Sequence, residues 1–218
     1  MRLYSYFRSS ASYRVRIALA LKGLEAEYVA VHLQKNEQLA DAFRRLAPAQ
    51  LVPALAVDAT DGAGKAVLTQ SLAIIEYLDE VHPEPPLLPG DALGRARVRA
   101  LALDIACEIH PLDNLRVLRY LVKELGVSED DKNRWYRHWV ETGLAVVEER
   151  LAGSPATGSF CHGDAPGLAD CVLVPQIFNA HRMACRLDHV PTVVRVFDAC
   201  MALDAFAGTQ PSACPDAA

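Results

Sequence analysis

Three short stretches combine residue types suited to holding an anion. The first is Arg8-Ser9-Ser10-Ala11-Ser12-Tyr13-Arg14-Val15-Arg16. Its hydroxyls precede an apolar run with helical spacing, so they fall at or near a helix N-terminus. There the unpaired N–H groups and the positive end of the dipole favour an anion or a thiolate. Ordinary N-capping by Ser9 or Ser10 explains the same residues, and on local sequence alone it is the simpler reading. The second stretch, Gln50-Leu51-Val52-Pro53-Ala54-Leu55, puts a proline at the start of a strand, where only one donor is lost. The third, Gln70-Ser71, opens a helix. A serine hydroxyl and free helix N–H groups can hold a carboxylate, although a plain cap accounts for them equally well.

The elements that must position these residues alternate in type over the first part of the chain. Residues 2–7 are aromatic-rich and strand-like, and 10–22 carry apolar residues at helical spacing with Gly23 as a stop. Residues 27–33 form a short apolar strand and 39–46 a short helix that ends before Pro48. Strands over 51–57 and 65–69 flank Asp61-Gly62-Ala63-Gly64, a hairpin signal. Residues 71–82 form a helix with Leu72, Ile75 and Leu78 on one face. The order β-α-β, short helix, β-β-α predicts a parallel pair across the first crossover and an antiparallel final pair.

The run His82-Pro83-Glu84-Pro85-Pro86-Leu87-Leu88-Pro89-Gly90-Asp91 can continue neither a helix nor a central strand. It predicts a boundary, with an α/β domain over 1–82, a linker over 83–91 and an all-helical domain over 92–208. Charge divides there as well, since residues 1–83 are net zero and the remainder carries the whole net charge of −5. Helices are expected over 92–109, 112–125, 128–151, 167–184 and 191–206, and a frayed tail over 209–218. His110 and Asn114, four apart, are expected on one face of a helix.

Composition removes several classes. The chain has 218 residues, 51% of them hydrophobic, which suits a buried core and excludes a disordered protein. With 22 basic against 27 acidic residues it lacks the basic excess of a nucleic-acid binder. No apolar run approaches the ~20 residues of a membrane span, and the N-terminus has no apolar signal core, so a cytoplasmic protein is expected. The six cysteines all lie at or after Cys107 and none has CxxC spacing, which predicts reduced thiols, mostly in the core. Cys185 and His189 have no second ligand pair with zinc-like spacing, so no metal is expected.

Together the three stretches, in this order within one βαβ–ββα unit, resemble the thioredoxin-fold domain of a soluble glutathione transferase. Ser9-Ser10-x-Ser12-x-Arg14-Val15-Arg16-Ile17-Ala18-Leu19, Leu51-Val52-Pro53-Ala54-Leu55 and Gln70-Ser71-Leu72-Ala73-Ile74-Ile75-Glu76-Tyr77-Leu78 are similar to the zeta class, the class of maleylacetoacetate isomerase, and to the related bacterial maleylpyruvate isomerases. The likeness continues through His110-Pro111-Leu112-Asp113-Asn114-Leu115, Gly163-Asp164, Leu168-Ala169-Asp170 and Pro175-Gln176, and so runs from Met1 to about Phe206.

The fold so implied is a thioredoxin-like α/β domain followed by an all-α helical bundle, working as a homodimer. The implied cofactor is glutathione. Ser9 or Ser10 would face its sulfur within the signature that also holds Ser12 and Arg14. Val52, held by Pro53, would pair with its backbone. Gln70 and Ser71 would grip its γ-glutamyl carboxylate, and Gln38 would reach its glycyl end. His110, Asn114 and Arg116 would line the cleft nearby. Arg8 and Arg182 would bind the carboxylates of a small dicarboxylate substrate and stabilise an enolate, a task suited to the planar guanidinium fork. The implied reaction is conjugate addition of the thiolate, rotation and elimination, in the breakdown of aromatic compounds.

Two positions depart from the zeta pattern: Ala11 stands where a cysteine is usual, and Gly167 where a Thr or Ser cap is common. Asp170, three residues after Gly167, is expected to complete a helix cap rather than to do chemistry. Tyr4 and Tyr6, on the first strand, are expected in the core. Two other readings use the same residues, a transferase or dehalogenase acting on small α-halo acids and a non-catalytic binding protein of the same fold. The pair of carboxylate-binding arginines argues against the second.

Overall fold

A computed structural model of the chain describes residues 1–58 and 64–217. Most of the hairpin signal, Asp61 to Ala63, lies outside the described residues. The chain divides into two compact units, Met1–Leu87 with Leu203–Ala218, and Leu88–Ala202.

The first unit holds a four-stranded sheet. Strand β1 (Arg2–Ser5) leads through helix α1 (Ser10–Leu21) to β2 (Glu27–Ala30), and helix α2 (Asp41–Leu46) precedes β3 (Ala54–Asp58). Strand β4 (Lys65–Thr69) and helix α3 (Ser71–Val81) come after it. The strand order is β2-β1-β3-β4, with β1 parallel to β2 and β3 antiparallel to both β1 and β4. The central strand β3 reads Ala54-Leu55-Ala56-Val57, buried throughout, whereas edge strand β4 alternates between exposed and half-buried. Tyr6 (3% exposed) packs with Val31, Phe43, Ala47 and Val52, and Tyr4 lies edge-on to Phe43 at 6.1 Å. Tyr6, just after β1, therefore belongs to the core, and the half-buried Tyr4 packs against it.

The proline-rich run is pinned rather than loose. The buried Lys22 ammonium donates to the carbonyls of His82 (2.6 Å) and Pro85 (2.8 Å) and pairs with Asp79 at 2.8 Å. Asp79 in turn accepts the Leu87 N–H at 2.8 Å. With every ammonium donor used, the buried charge is matched. The break between units accordingly falls between Leu87 and Leu88, inside the expected linker.

The tail differs from expectation. Instead of fraying over 209–218, residues 203–217 join the first unit. A short helix (Asp204–Ala207) presents the Phe206 carbonyl to the Tyr13 hydroxyl at 2.8 Å, and Cys214 is buried. Small, polar composition suggested disorder, but two buried side chains of α1, Tyr13 and Arg16, supply partners for its backbone. The helical domain expected over 92–208 thus closes at Ala202.

The second unit runs α4 (Ala92–Leu103), a π-helical stretch (Asp104–Ile109), α5 (His110–Asp113), α6 (Leu115–Lys123), α7 (Glu129–Ala152), α8 (Leu168–Arg182) and α9 (Pro191–Met201). Twelve of the fifteen residues of α8 are buried, which makes it the central helix. The helix expected over 112–125 is broken at Asn114, which is extended (φ −68°, ψ 145°) and caps α6 by accepting the Arg116 N–H at 3.0 Å. An asparagine side chain competes well with helical bonding at such a point. His110 and Asn114 therefore do not share one helical face.

The buried Asp170 (1% exposed) accepts the Gly167 and Cys161 N–H groups, each at 2.9 Å. Gly167 has no side chain to return a bond, so this is half a capping box. Four of the six free thiols, Cys161, Cys171, Cys200 and Cys214, are buried, and burial pushes the half-buried Cys185 thiol up to about 11. Among the described residues no three metal-ligating side chains cluster, and no helix is long and apolar enough to cross a membrane.

Candidate glutathione and substrate site

Strand register brings the three anion-binding stretches together. β1 pairs antiparallel with β3 at Tyr4↔Ala54, and β3 pairs antiparallel with β4 at Ala54↔Thr69. The residues leaving β1, entering β3 and leaving β4 therefore occupy one end of the sheet. They are Arg8-Ser9-Ser10, Val52-Pro53 and Gln70-Ser71. A depression of about 550 Å³ lined by Leu3, Leu19, Tyr28 and Cys214 contains none of them.

Ser9 is the N-cap of α1, and its Oγ accepts the Ser12 N–H at 3.2 Å. The cap uses an acceptor lone pair and leaves the hydroxyl proton to donate. Ser10 occupies the first helical position and is 5% exposed. Ser12 is fully buried, and its Oγ has no hydrogen-bond partner among the described residues. Arg8 is exposed, its guanidinium 5.0 Å above the Phe7 ring.

Val52 and Pro53 are joined by a cis peptide bond directly before β3. Gln70 caps α3 at φ +67°, ψ 116°, a conformation rare for a residue with a Cβ. Ser71 is the first residue of α3. Arg14, only 2% exposed, donates from Nη1 to Ser71 Oγ at 3.2 Å. It thus acts beneath the surface, linking α1 to the start of α3, and this link was invisible in the local motif. Gln38 sits in the turn before α2, 8% exposed, and its Oε1 has no hydrogen-bond partner among the described residues.

The remaining candidates belong to the helical unit. His110 opens α5 directly after the π-helical stretch, with Nδ1 3.5 Å from Asp113 Oδ1. Asp113 is buried and accepts from Gln176 Nε2 at 3.0 Å. Arg116 is exposed in the first turn of α6. Arg182 ends α8, exposed, with Nε and Nη2 each 3.4 Å from Asn179 Oδ1. Tyr136, 1% exposed, feels both Asp113 and Arg182, and burial pushes its phenol up. Asp113, Gln176 and Tyr136 are thus added to the residues around His110 and Arg182. In the sequence, Asp113 and Gln176 lie within the family-like stretches, whereas Tyr136 carried no signal.

The model of the glutathione S-transferase N-terminal domain matches residues 1–80, and that of the C-terminal domain matches 135–208. The maleylpyruvate isomerase of a Ralstonia species is 50% identical over 218 residues, all of both chains. A holo maleylpyruvate isomerase, a bacterial glutathione transferase of the zeta class, superposes with a TM-score of 0.94 at 50% identity over 100% of each chain. A maleylacetoacetate isomerase from Anaeromyxobacter dehalogenans, with dicarboxyethyl glutathione and citrate bound in its active site, gives a TM-score of 0.88 at 45% identity. That match covers 100% of this chain and 97% of the other.

Proposed function

Because the chain belongs to the glutathione S-transferase family, in its zeta-class branch of maleylpyruvate and maleylacetoacetate isomerases, we propose that it converts a maleyl keto acid to its fumaryl isomer with glutathione as cofactor. The observation that carries this reading is the register that sets Ser9, Val52 and Gln70-Ser71 at one end of the sheet.

The residues fit a glutathione molecule. Ser71 Oγ and the N-terminus of α3, braced by Arg14, suit its γ-glutamyl carboxylate. The backbone of Val52 suits its central peptide, and the unpartnered Gln38 carbonyl suits an N–H of its glycyl end. Bound glutathione supplies a thiolate nucleophile that adds to the cis double bond, lets it rotate as a single bond, and leaves unchanged.

The protein's own groups do the rest. The Ser9 hydroxyl and the N-terminal dipole of α1 favour thiolate over thiol. Arg8 and Arg182 hold carboxylates and stabilise negative charge that develops on the keto oxygen. In the helical unit, His110, Asn114 and Arg116 are assigned as polar groups for the bound cofactor. Ala11 removes a thiol from the signature without removing a reactant, because the nucleophile comes from the cofactor. We assign the enzyme to the cytoplasm, as a homodimer serving aromatic catabolism.

The test supplies maleylpyruvate and maleylacetoacetate separately with catalytic glutathione and follows ultraviolet absorbance. Turnover of at least one without loss of glutathione is expected. Consumption of glutathione, or turnover of neither, sinks the proposal, and light scattering checks the dimer.

A further inference from the structure

Residues 203–217 close over the first unit through a chain of bonds that ends two residues before the thiolate-binding serine. The Asp216 carboxylate accepts the Phe7 N–H on Oδ2 at 3.1 Å and the Tyr28 hydroxyl on Oδ1 at 2.6 Å. Burial and this bond push the Tyr28 phenol up, so it remains a donor. The Phe7 carbonyl is held by Arg16 Nη2 at 3.2 Å, while Arg16 Nε donates to the Thr209 carbonyl at 3.0 Å. Both backbone polar groups of Phe7 are therefore fixed by charged side chains, one from the tail and one from α1.

Phe7 lies beyond the last residue of β1, where a neighbouring strand no longer fixes the chain. Arg8 comes next, its guanidinium over the Phe7 ring, and then Ser9, whose N–H donates to the Tyr6 carbonyl at 2.9 Å. The orientation of the Phe7 peptide thus sets where Arg8 leaves the sheet and where the α1 cap begins. A bond to a charged group is stronger than one between neutral groups, which suits the two anchors on this short loop, Asp216 at the N–H and Arg16 at the carbonyl.

We propose that Asp216 is a positioning residue for catalysis, holding the Phe7–Ser9 loop so that Ser9 and Arg8 face the glutathione sulfur and the substrate. This rests on the thiolate-site reading given above. Asp216 touches neither cofactor nor substrate in this role, so its loss should affect the chemical step more than binding of the glutathione backbone at Gln70-Ser71.

The test uses the full chain with Asp216→Ala, Asp216→Asn and, as a control, Tyr28→Phe, which leaves the Phe7 bond in place. Hydrogen exchange at the Phe7 amide in the ligand-free protein reads the anchor directly and should quicken about tenfold or more in Asp216→Ala. The ultraviolet titration of bound glutathione should shift toward higher pH. The kcat for the maleyl substrate should fall about tenfold to a hundredfold, as expected for a misplaced catalytic group. The glutathione Kd should move less than about threefold, because that grip lies at the start of α3.

Asp216→Asn, whose amide oxygen still accepts from Phe7, should recover most of the loss, and Tyr28→Phe should keep wild-type kcat. Unchanged Phe7 exchange in Asp216→Ala overturns the proposal. So does wild-type titration and kcat in a variant whose Phe7 amide has loosened. Should Asp216→Ala not fold, Asp216→Asn carries the same reading at smaller size. Exchange and titration must then move together, and movement of either alone overturns it. Wild-type protein that binds glutathione only as the thiol overturns instead the thiolate-site reading, while Phe7 exchange still judges the anchor.

Discussion

Ser9, Val52-Pro53 and Gln70 are placed by backbone pairing in a sheet, whereas His110, Asn114 and Arg182 are placed by helix ends and interruptions. In the first unit, the ladder Tyr4↔Ala54↔Thr69 carries three separate motifs to one end of the sheet. Local sequence marks each motif, and strand order does the assembly. Among the described residues, the helical unit has no such ladder. His110 comes directly after a π-helical stretch, Asn114 breaks a helix to cap the next, and Arg182 closes a helix whose start is fixed by the buried Asp170. In a sheet-borne site the buried side-chain pattern of the strands fixes the register, and the register fixes where each motif emerges. A helix-borne site depends on a few polar groups that hold the helix ends.

The largest effect that sharpens this contrast should come from Asp170→Ala. It strands the buried Cys161 N–H and the half-buried Gly167 N–H, and each buried donor left unsatisfied costs about 1–3 kcal/mol. Urea unfolding measures it. The equivalent loss at the sheet end, Ser9→Ala, should cost only about 1 kcal/mol, the usual value of a cap. Equal costs would break the comparison.

Arg8→Leu and Arg182→Leu come next. Each removes a charged carboxylate partner, so kcat/KM for a maleyl keto acid should drop about tenfold to a hundredfold in either variant. Steady-state kinetics decide, and wild-type values in both would remove the arginines from the site.

Ser71→Ala should weaken glutathione about tenfold in calorimetric titration, the worth of one hydrogen bond to a charged group. Arg14→Met should reproduce much of that loss, since Arg14 meets Ser71 Oγ at 3.2 Å. The double variant should then show clear non-additivity, and additive losses would mean that Arg14 does not act through Ser71.

The smallest change should be a gain. Ala184 sits at φ +52° after α8, where its N–H donates to the His181 carbonyl and the Cys185 N–H to that of Ala180. This is a C-terminal cap that glycine fits without strain. Ala184→Gly should stabilise the protein by about 0.5–1 kcal/mol, read by thermal or urea unfolding.

Much of this was legible in residue order. Alternation of strand-like and helical runs marks the first unit, and Ser9-Ser10, Val52-Pro53 and Gln70-Ser71 stand out because cap and turn chemistry uses few residue types. Asp170 was readable as a cap because a short-range bond needs only a fixed spacing. Other features were not legible for equally physical reasons. Asn114 reads as helix interior until its side chain is seen to compete for the Arg116 N–H. Arg14 and Ser71 are 57 positions apart and meet only when α1 and α3 pack.

The tail shows the division most plainly. Its small, polar residues carry no periodic apolar pattern, so sequence alone predicts fraying. Its order comes from Tyr13, Arg16 and Tyr28, side chains nearly 200 positions away in the chain. Residue types and short spacings thus determined the element types, the caps, the reduced thiols and the chemical character of the site. Only the tertiary structure decided strand order, the helix break at Asn114, the link between Arg14 and Ser71, and the hold of Asp216 on Phe7. Those depend on hydrogen bonds between groups far apart in the chain, whose meeting is set by packing and not by local preference.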